Sequence, residues 1–147
     1  MDEFGKAIVD YNKAIELAPE FALAYGNRGT ADYHTGDYDK AIADCSKAIE
    51  LNPHAAGPYA AGPYNDLGLA FNKKGNYDKA ITSFKQALII EPNNPELYYY
   101  LGTIYEKLSQ KAVALSNYEN ASRLDPSGKV GGWSREAIQE LGGGQSP

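Results

Sequence analysis

The chain has 147 residues, of which 43% are hydrophobic and 22% charged, enough to build an ordinary soluble core. Its formal net charge of −5 gives no electrostatic footprint for nucleic acid. The single cysteine, Cys45, excludes an intramolecular disulfide and a cysteine-rich metal site.

In chain order, residues 3–18 read as a helix, because Phe4, Ala7, Ile8, Tyr11, Ala14 and Ile15 recur on one face. Pro19 closes it. Helices are predicted over 21–34 and 38–51, joined by His34-Thr35-Gly36-Asp37, whose glycine suits a tight helix–helix turn. Ala41, Ile42, Cys45, Ala48 and Ile49 form the apolar stripe of the second, and Pro53 ends it. The pair returns over 63–74 and 77–90, with Lys74-Gly75-Asn76 as turn and Pro92 as stop. It returns again over 95–108 and 111–124, where Ser109-Gln110 replaces the turn glycine and Pro126 is the stop. A last helix fits 130–141, with Trp133, Ala137, Ile138 and Leu141 on one side and Arg135, Glu136, Gln139 and Glu140 on the wet side. Residues 142–147 read as a flexible tail. The longest aliphatic run, 87–90, is far too short to span a bilayer, and the acidic start lacks the basic and apolar blocks of a signal peptide. The expectation is therefore a cytoplasmic protein with no membrane and no nucleic-acid partner.

One stretch ties these elements together. Gly36-Asp37-Tyr38-Asp39-Lys40-Ala41-Ile42 returns as Gly75-Asn76-Tyr77-Asp78-Lys79-Ala80-Ile81. Degraded copies stand around Ala7 and Ala114, and the steps between Ala7, Ala41, Ala80 and Ala114 are 34, 39 and 34 residues. A fixed period near 34 implies a stack of one supersecondary unit. The long step contains a tandem duplication, 55–59 being Ala-Ala-Gly-Pro-Tyr and Ala60-Ala61-Gly62-Pro63-Tyr64 repeating it. It reads either as an inert longer loop or as a hinge for exchanging halves between chains.

Tyr64, Leu67, Gly68, Phe71, Ala80, Phe84 and Pro92 fall at fixed spacing, and Tyr98, Leu101, Gly102, Tyr105, Ala114, Tyr118 and Pro126 repeat it. The pattern resembles the tetratricopeptide repeat, a helix–turn–helix unit of this period. Tyr25, Gly29, Ala41 and Pro53 match in the earlier unit, with Arg28, Asp32 and Cys45 in place of Leu, Tyr and Phe. Ala7, Tyr11 and Pro19 are what remains of a unit lacking its first helix.

The resemblance implies an all-α, right-handed superhelical solenoid of hairpins: a single array over 1–141, closed by a capping helix at 130–141. A half repeat occupies 3–19, full repeats 20–53, 61–92 and 93–126, and the duplicated inter-repeat loop 54–60. Eight helices are expected. It further implies a non-enzymatic scaffold whose first helices line a concave groove for a peptide or protein segment. By helical spacing and that resemblance, the groove shows Leu23, Asn27, Thr30, Tyr33 and His34, then Asn65, Asp66, Leu69, Asn72 and Lys73. It ends with Glu96, Tyr99, Tyr100, Thr103 and Lys107. One branch of the family grips C-terminal carboxylates with lysine, arginine and asparagine. Here Asn27 matches one such asparagine, but Gly62 and Asp66 stand where Lys and Arg are needed, so no clamp is expected.

Other chemistry is thin. His34 and His54 sit at predicted helix ends as solvated turn residues with no second ligand at metal spacing, so no metal or cofactor is expected. Cys45 reads as a buried, inert thiol. Ser127-Gly128-Lys129 lacks the upstream glycine of a phosphate loop. Arg28 and Asp32, four apart, are expected to pair. Trp133 is expected to anchor the last helix. The stripe Phe4, Ile8, Tyr11 and Ile15 has no preceding helix to cover it, which offers a second reading, a self-associating assembly protein forming a homo-oligomer through that helix or the duplicated loop.

Overall fold

The computed structural model describes residues 3–54 and 60–142, which fold into eight helices with no strand among the described residues. They are α1 (Glu3–Leu17), α2 (Ala22–Thr35), α3 (Tyr38–Leu51), α4 (Gly62–Lys73), α5 (Tyr77–Ile90), α6 (Pro95–Lys107), α7 (Lys111–Leu124) and α8 (Lys129–Gly142). The periodicity places every element to within one residue at either end. The first copy of the duplication, 55–59, lies outside the described residues, as do 143–147 of the predicted tail.

The helices form two compact units, Met1–Ile90 and Glu91–Pro147. In the first, α2 pairs with α3 and α4 with α5, α1 packs on α2, and α3 packs on α4. In the second, α6 pairs with α7, and α8 covers α7 with a smaller contact to α6.

The same turn is built three times. Asp37 N–H donates to Asp32 O, Asn76 N–H to Phe71 O and Gln110 N–H to Tyr105 O, at 2.8, 2.9 and 2.8 Å. This six-to-one bond requires a left-handed residue just before the donor. Gly36 (φ 86°) and Gly75 (φ 73°) supply it, and in the third turn Ser109 takes φ 58°. A side chain in that region costs about 1–2 kcal/mol; the hairpin geometry imposes it where the glycine is missing.

The hairpin cores repeat as faithfully. A Cβ on Gly68 would lie 2.6 Å from the Phe84 ring, and one on Gly102 would lie 2.6 Å from the Tyr118 ring. The paired helices touch because these positions have no side chain. In the α2–α3 hairpin the corresponding close approach is Gly29 to the Cys45 sulfur, again 2.6 Å. Cys45 is fully buried, and burial pushes its thiol far up, so it stays protonated and inert as expected.

Two expectations about packing need correction. Arg28 does not pair with Asp32. Its Nε and Nη2 donate to the two carboxylate oxygens of Asp44 on α3, at 2.6 and 2.7 Å, and Nη1 donates to Asn12 Oδ1 on α1 at 2.7 Å. A guanidinium that replaces the repeat's leucine faces the facing helix, not its own, and so ties three helices together. Asp32 is buried, and burial, with Asp44 nearby, raises its pKa.

Trp133 is not the anchor of α8, since it keeps 41% of its surface exposed. The helix is held instead by Val130, Gly131 and Ser134, all buried. Gly131 N–H donates to Asp125 Oδ2 at 3.1 Å, and no Cβ fits there because Asp125 O would be 1.7 Å away. The predicted wet face, Arg135, Glu136, Gln139 and Glu140, is exposed.

Candidate functional site

Each unit has a first-helix face. In the first, α2 buries Ala24, Gly26, Gly29, Ala31 and Asp32, and α4 buries Asp66, Leu67, Gly68 and Ala70. Asn27, Thr30, Tyr33, Asn65, Leu69 and Asn72 are left half-buried, and Lys73 and His34 exposed. In the second, α6 buries Leu97, Leu101, Gly102 and Ile104. Tyr99, Tyr100 and Thr103 are half-buried, and Lys107 and Glu96 exposed.

Several of these side chains are already engaged. Asp66 faces inward, where the Thr30 hydroxyl donates to its Oδ2 at 2.5 Å and Asn65 Nδ2 lies 3.5 Å from Oδ1. It bridges α4 to α2 instead of standing at the surface. Asn65 Oδ1 is buried and accepts no hydrogen bond. His34 stacks on Phe4 at 4.5 Å and so helps hold α1. Tyr99 packs between Tyr118 and Trp133, with ring centroids 5.7 and 5.6 Å away, and also meets Tyr100 at 6.1 Å. Lys129 Nζ sits 4.8 Å over the Trp133 ring, which makes an aromatic patch with one cation on the surface of the second unit.

Burial raises the Asp66 pKa, opposed by the Thr30 bond, His34 and the Asn65 bond. A carboxyl whose folded pKa exceeds its unfolded one holds its proton more tightly when folded. Its contribution to stability is therefore fully present below the ordinary aspartate pKa and is lost as pH rises through the raised value. Asp66→Asn should flatten that part of the stability profile, which urea midpoints across the acid-to-neutral range will show. An unchanged slope means that another group dominates.

The sequence reading missed a cavity of about 390 Å³ in the first unit, where the starts of α2 and α4 meet the ends of α3 and α5. Leu23, Asn27 and Thr30 lie on its wall, as do Ile49, Gln86 and Ile89 from the second helices. The only signals for it in the sequence are the duplicated segment and the outward isoleucine, Ile89, which is 72% exposed.

Residues 22–55 and 95–127 match family profiles described as tetratricopeptide repeat, and residues 63–109 match one described as TPR repeat. The chain belongs to the tetratricopeptide repeat family. Among solved structures, the tetratricopeptide chain is similar to the crystal structure of MamA protein, with 27% identity and a TM-score of 0.74 over 84% of this chain and 64% of that one. It therefore spans just under two thirds of the MamA chain. The Arabidopsis OM64 TPR domain is 24% identical, with a TM-score of 0.71 over 82% of this chain and 93% of that one. The APC/C hetero-tetramer Cut9–Hcn1 is 17% identical, with a TM-score of 0.80 over 89% of this chain and 25% of that one. At such identities the last two show the fold alone. No curated protein sequence matches the chain. No helix among the described residues is long and apolar enough to cross a membrane. Repeats of this family and this fold support a protein–protein interaction scaffold.

Proposed function

We propose that the chain is a non-enzymatic scaffold that takes a peptide or protein segment on the concave, first-helix side of its hairpins. The supporting observation is the division of each first helix. One face is spent on glycine and alanine contacts, while amides, hydroxyls and tyrosines line the other and stay accessible. The Asn27 amide offers both donor and acceptor for a ligand's main chain, and Asn72 is half-buried on α4, whereas the Asn65 acceptor is enclosed. Tyr100 and Thr103 offer contact area and hydroxyls in the second unit. With Asp66 turned inward, the exposed charges of the faces are Lys73, Lys107 and Glu96, too few to select a highly charged tail.

The test is capture of a partner by the intact chain, followed by titration of single variants. Tyr100→Ala and Asn27→Ala should each weaken binding by about 1–2 kcal/mol. Raising the salt should weaken it only modestly, since ion pairs are secondary. Tyr99→Ala is the poorer probe because it also removes packing against Tyr118 and Trp133. Unchanged affinity in both single variants places the binding surface elsewhere.

A second reading, self-association through α1, has its own observation. The helix buries no residue, and Phe4, Val9 and Leu17 are 40%, 53% and 76% exposed. Ile8, Tyr11 and Ile15 of the predicted stripe are half-buried, so Val9 and Leu17 are the barer positions. Leaving such a side chain in water forgoes about 1.5–3 kcal/mol. Light scattering over a concentration series should then show an oligomer that Val9→Glu with Leu17→Glu dissolves; a monomer at every concentration removes this reading. Exchange at the duplicated segment involves 55–59, outside the described residues.

A further inference from the structure

The cavity between the hairpins of the first unit is built in a way the groove does not explain. Four of the five residues of the second copy of the duplication, Ala60, Gly62, Pro63 and Tyr64, form one wall. Pro63 also sets the start of α4, where a ring with fixed φ and no N–H is well placed. The opposite walls are Leu23 and Gly26 of α2, with Ile49 from α3 and Ile89 and Ile90 from α5. In a chain that is 22% charged, none of the described residues lining the cavity carries a charge. Its polar groups include three amides, Asn27, Asn52 and Gln86. At about 390 Å³ it lies within the 300–1,000 Å³ typical of sites that enclose a ligand.

We infer that this cavity is an anchor pocket for a bulky, uncharged apolar side chain of the bound peptide segment. The occupant follows from continuity and charge. Leu23, Asn27 and Thr30 belong both to the cavity wall and to the accessible face of α2, so a main chain lying along α2 passes its mouth. Amides at the wall suit the N–H and C=O groups that flank an anchor. An uncharged wall gives an ionic side chain no partner to offset its desolvation, so the pocket selects against charge at that position. The lip is apolar too, since Leu23 and Ile89 are 44% and 72% exposed. The inference rests on the reading that the first-helix face takes a peptide, and it adds which residue of that peptide is chosen and where it goes.

The experiment pans random-sequence peptides displayed on phage against the intact chain, then titrates a synthetic copy of an enriched peptide. Methyl NMR signals of Leu23, Ile49, Ile89 and Ile90 are followed throughout. Enriched peptides should share a bulky apolar residue among uncharged neighbours, and the pocket methyls should shift on titration. Replacing that residue by Ala, or introducing Leu23→Asp with Ile89→Asp, should weaken binding about tenfold or more. Both substituted positions are substantially exposed, so the fold should survive, as circular dichroism checks. Gly26→Ala is a gentler second variant: its Cβ meets Pro63 Cγ at 3.5 Å and Ala48 Cβ at 3.7 Å, an ordinary contact that narrows the pocket. It should also weaken the peptide. Peptides that bind with unshifted pocket methyls and no response to these variants overturn the pocket; if they respond to Tyr100→Ala, the face reading stands without it. Methyl shifts with no response to Tyr100→Ala support the pocket and count against the second-unit face. Failure to enrich any peptide overturns the inference, and cyclohexane shifting the methyls in that case makes the cavity a small-molecule site.

Discussion

Phe84→Ala is expected to destabilise the first unit by about 3–5 kcal/mol, the range for removing a buried aromatic ring. Phe84 is fully buried and lies against Gly68, which has no side chain to move into the void. A cavity that cannot collapse keeps the full loss of contacts. The sign of a second substitution then depends on the first. Gly68→Ala alone puts a Cβ 2.6 Å from the Phe84 ring and should cost about 1–3 kcal/mol by overpacking. In the Phe84→Ala background the same Cβ fills empty space and should restore part of the loss. Urea unfolding of the four proteins, followed by helicity, measures this. Gly68→Ala harmful to the same degree in both backgrounds would mean that helix conformation, and not ring contact, fixes the glycine.

The second large effect is expected at Arg28. Arg28→Leu restores the residue found at the corresponding positions Leu67 and Leu101, yet it should destabilise by about 2–3 kcal/mol because it leaves the buried Asp44 without its bidentate partner. The figure sits below that for a fully enclosed pair because the Arg28 side chain keeps 22% exposure. Arg28→Leu with Asp44→Ser, which copies Ser83 of the next hairpin, should recover most of the loss, since no charge is then stranded. α1 should report separately, because the Asn12 bond is lost in both variants. If the double variant is no better than Arg28→Leu, the ion pair is not what holds the α2–α3 hairpin.

The period of the sequence decided the helices, because a hairpin buried on both sides must repeat its small and aromatic residues at fixed spacing. Ala41, Ala80 and Ala114 mark the positions where the second helix comes closest, and all three are fully buried. The three turns were equally legible, even at Ser109, because the six-to-one bond forces a left-handed residue whichever side chain is there. Where a polar side chain replaces a consensus one, spacing along one helix was a poor guide. Arg28 and Asp32 share a face, but the carboxylate able to accept from both Nε and Nη2 stood sixteen residues away on the facing helix. Asp66 occupies a position that helical spacing assigns to the groove, yet Thr30 of the neighbouring first helix draws it inward. Trp133 shares the apolar side of the last helix with Ala137, Ile138 and Leu141, which suits an anchor, whereas α8 approaches so closely through Gly131 and Ser134 that the indole is left at the surface against Tyr99. The cavity walled by Ala60, Gly62, Pro63 and Tyr64 could not be derived from spacing along one helix either. Its walls come from the ends of four helices, and only the packing of hairpin on hairpin decides how much space remains between them.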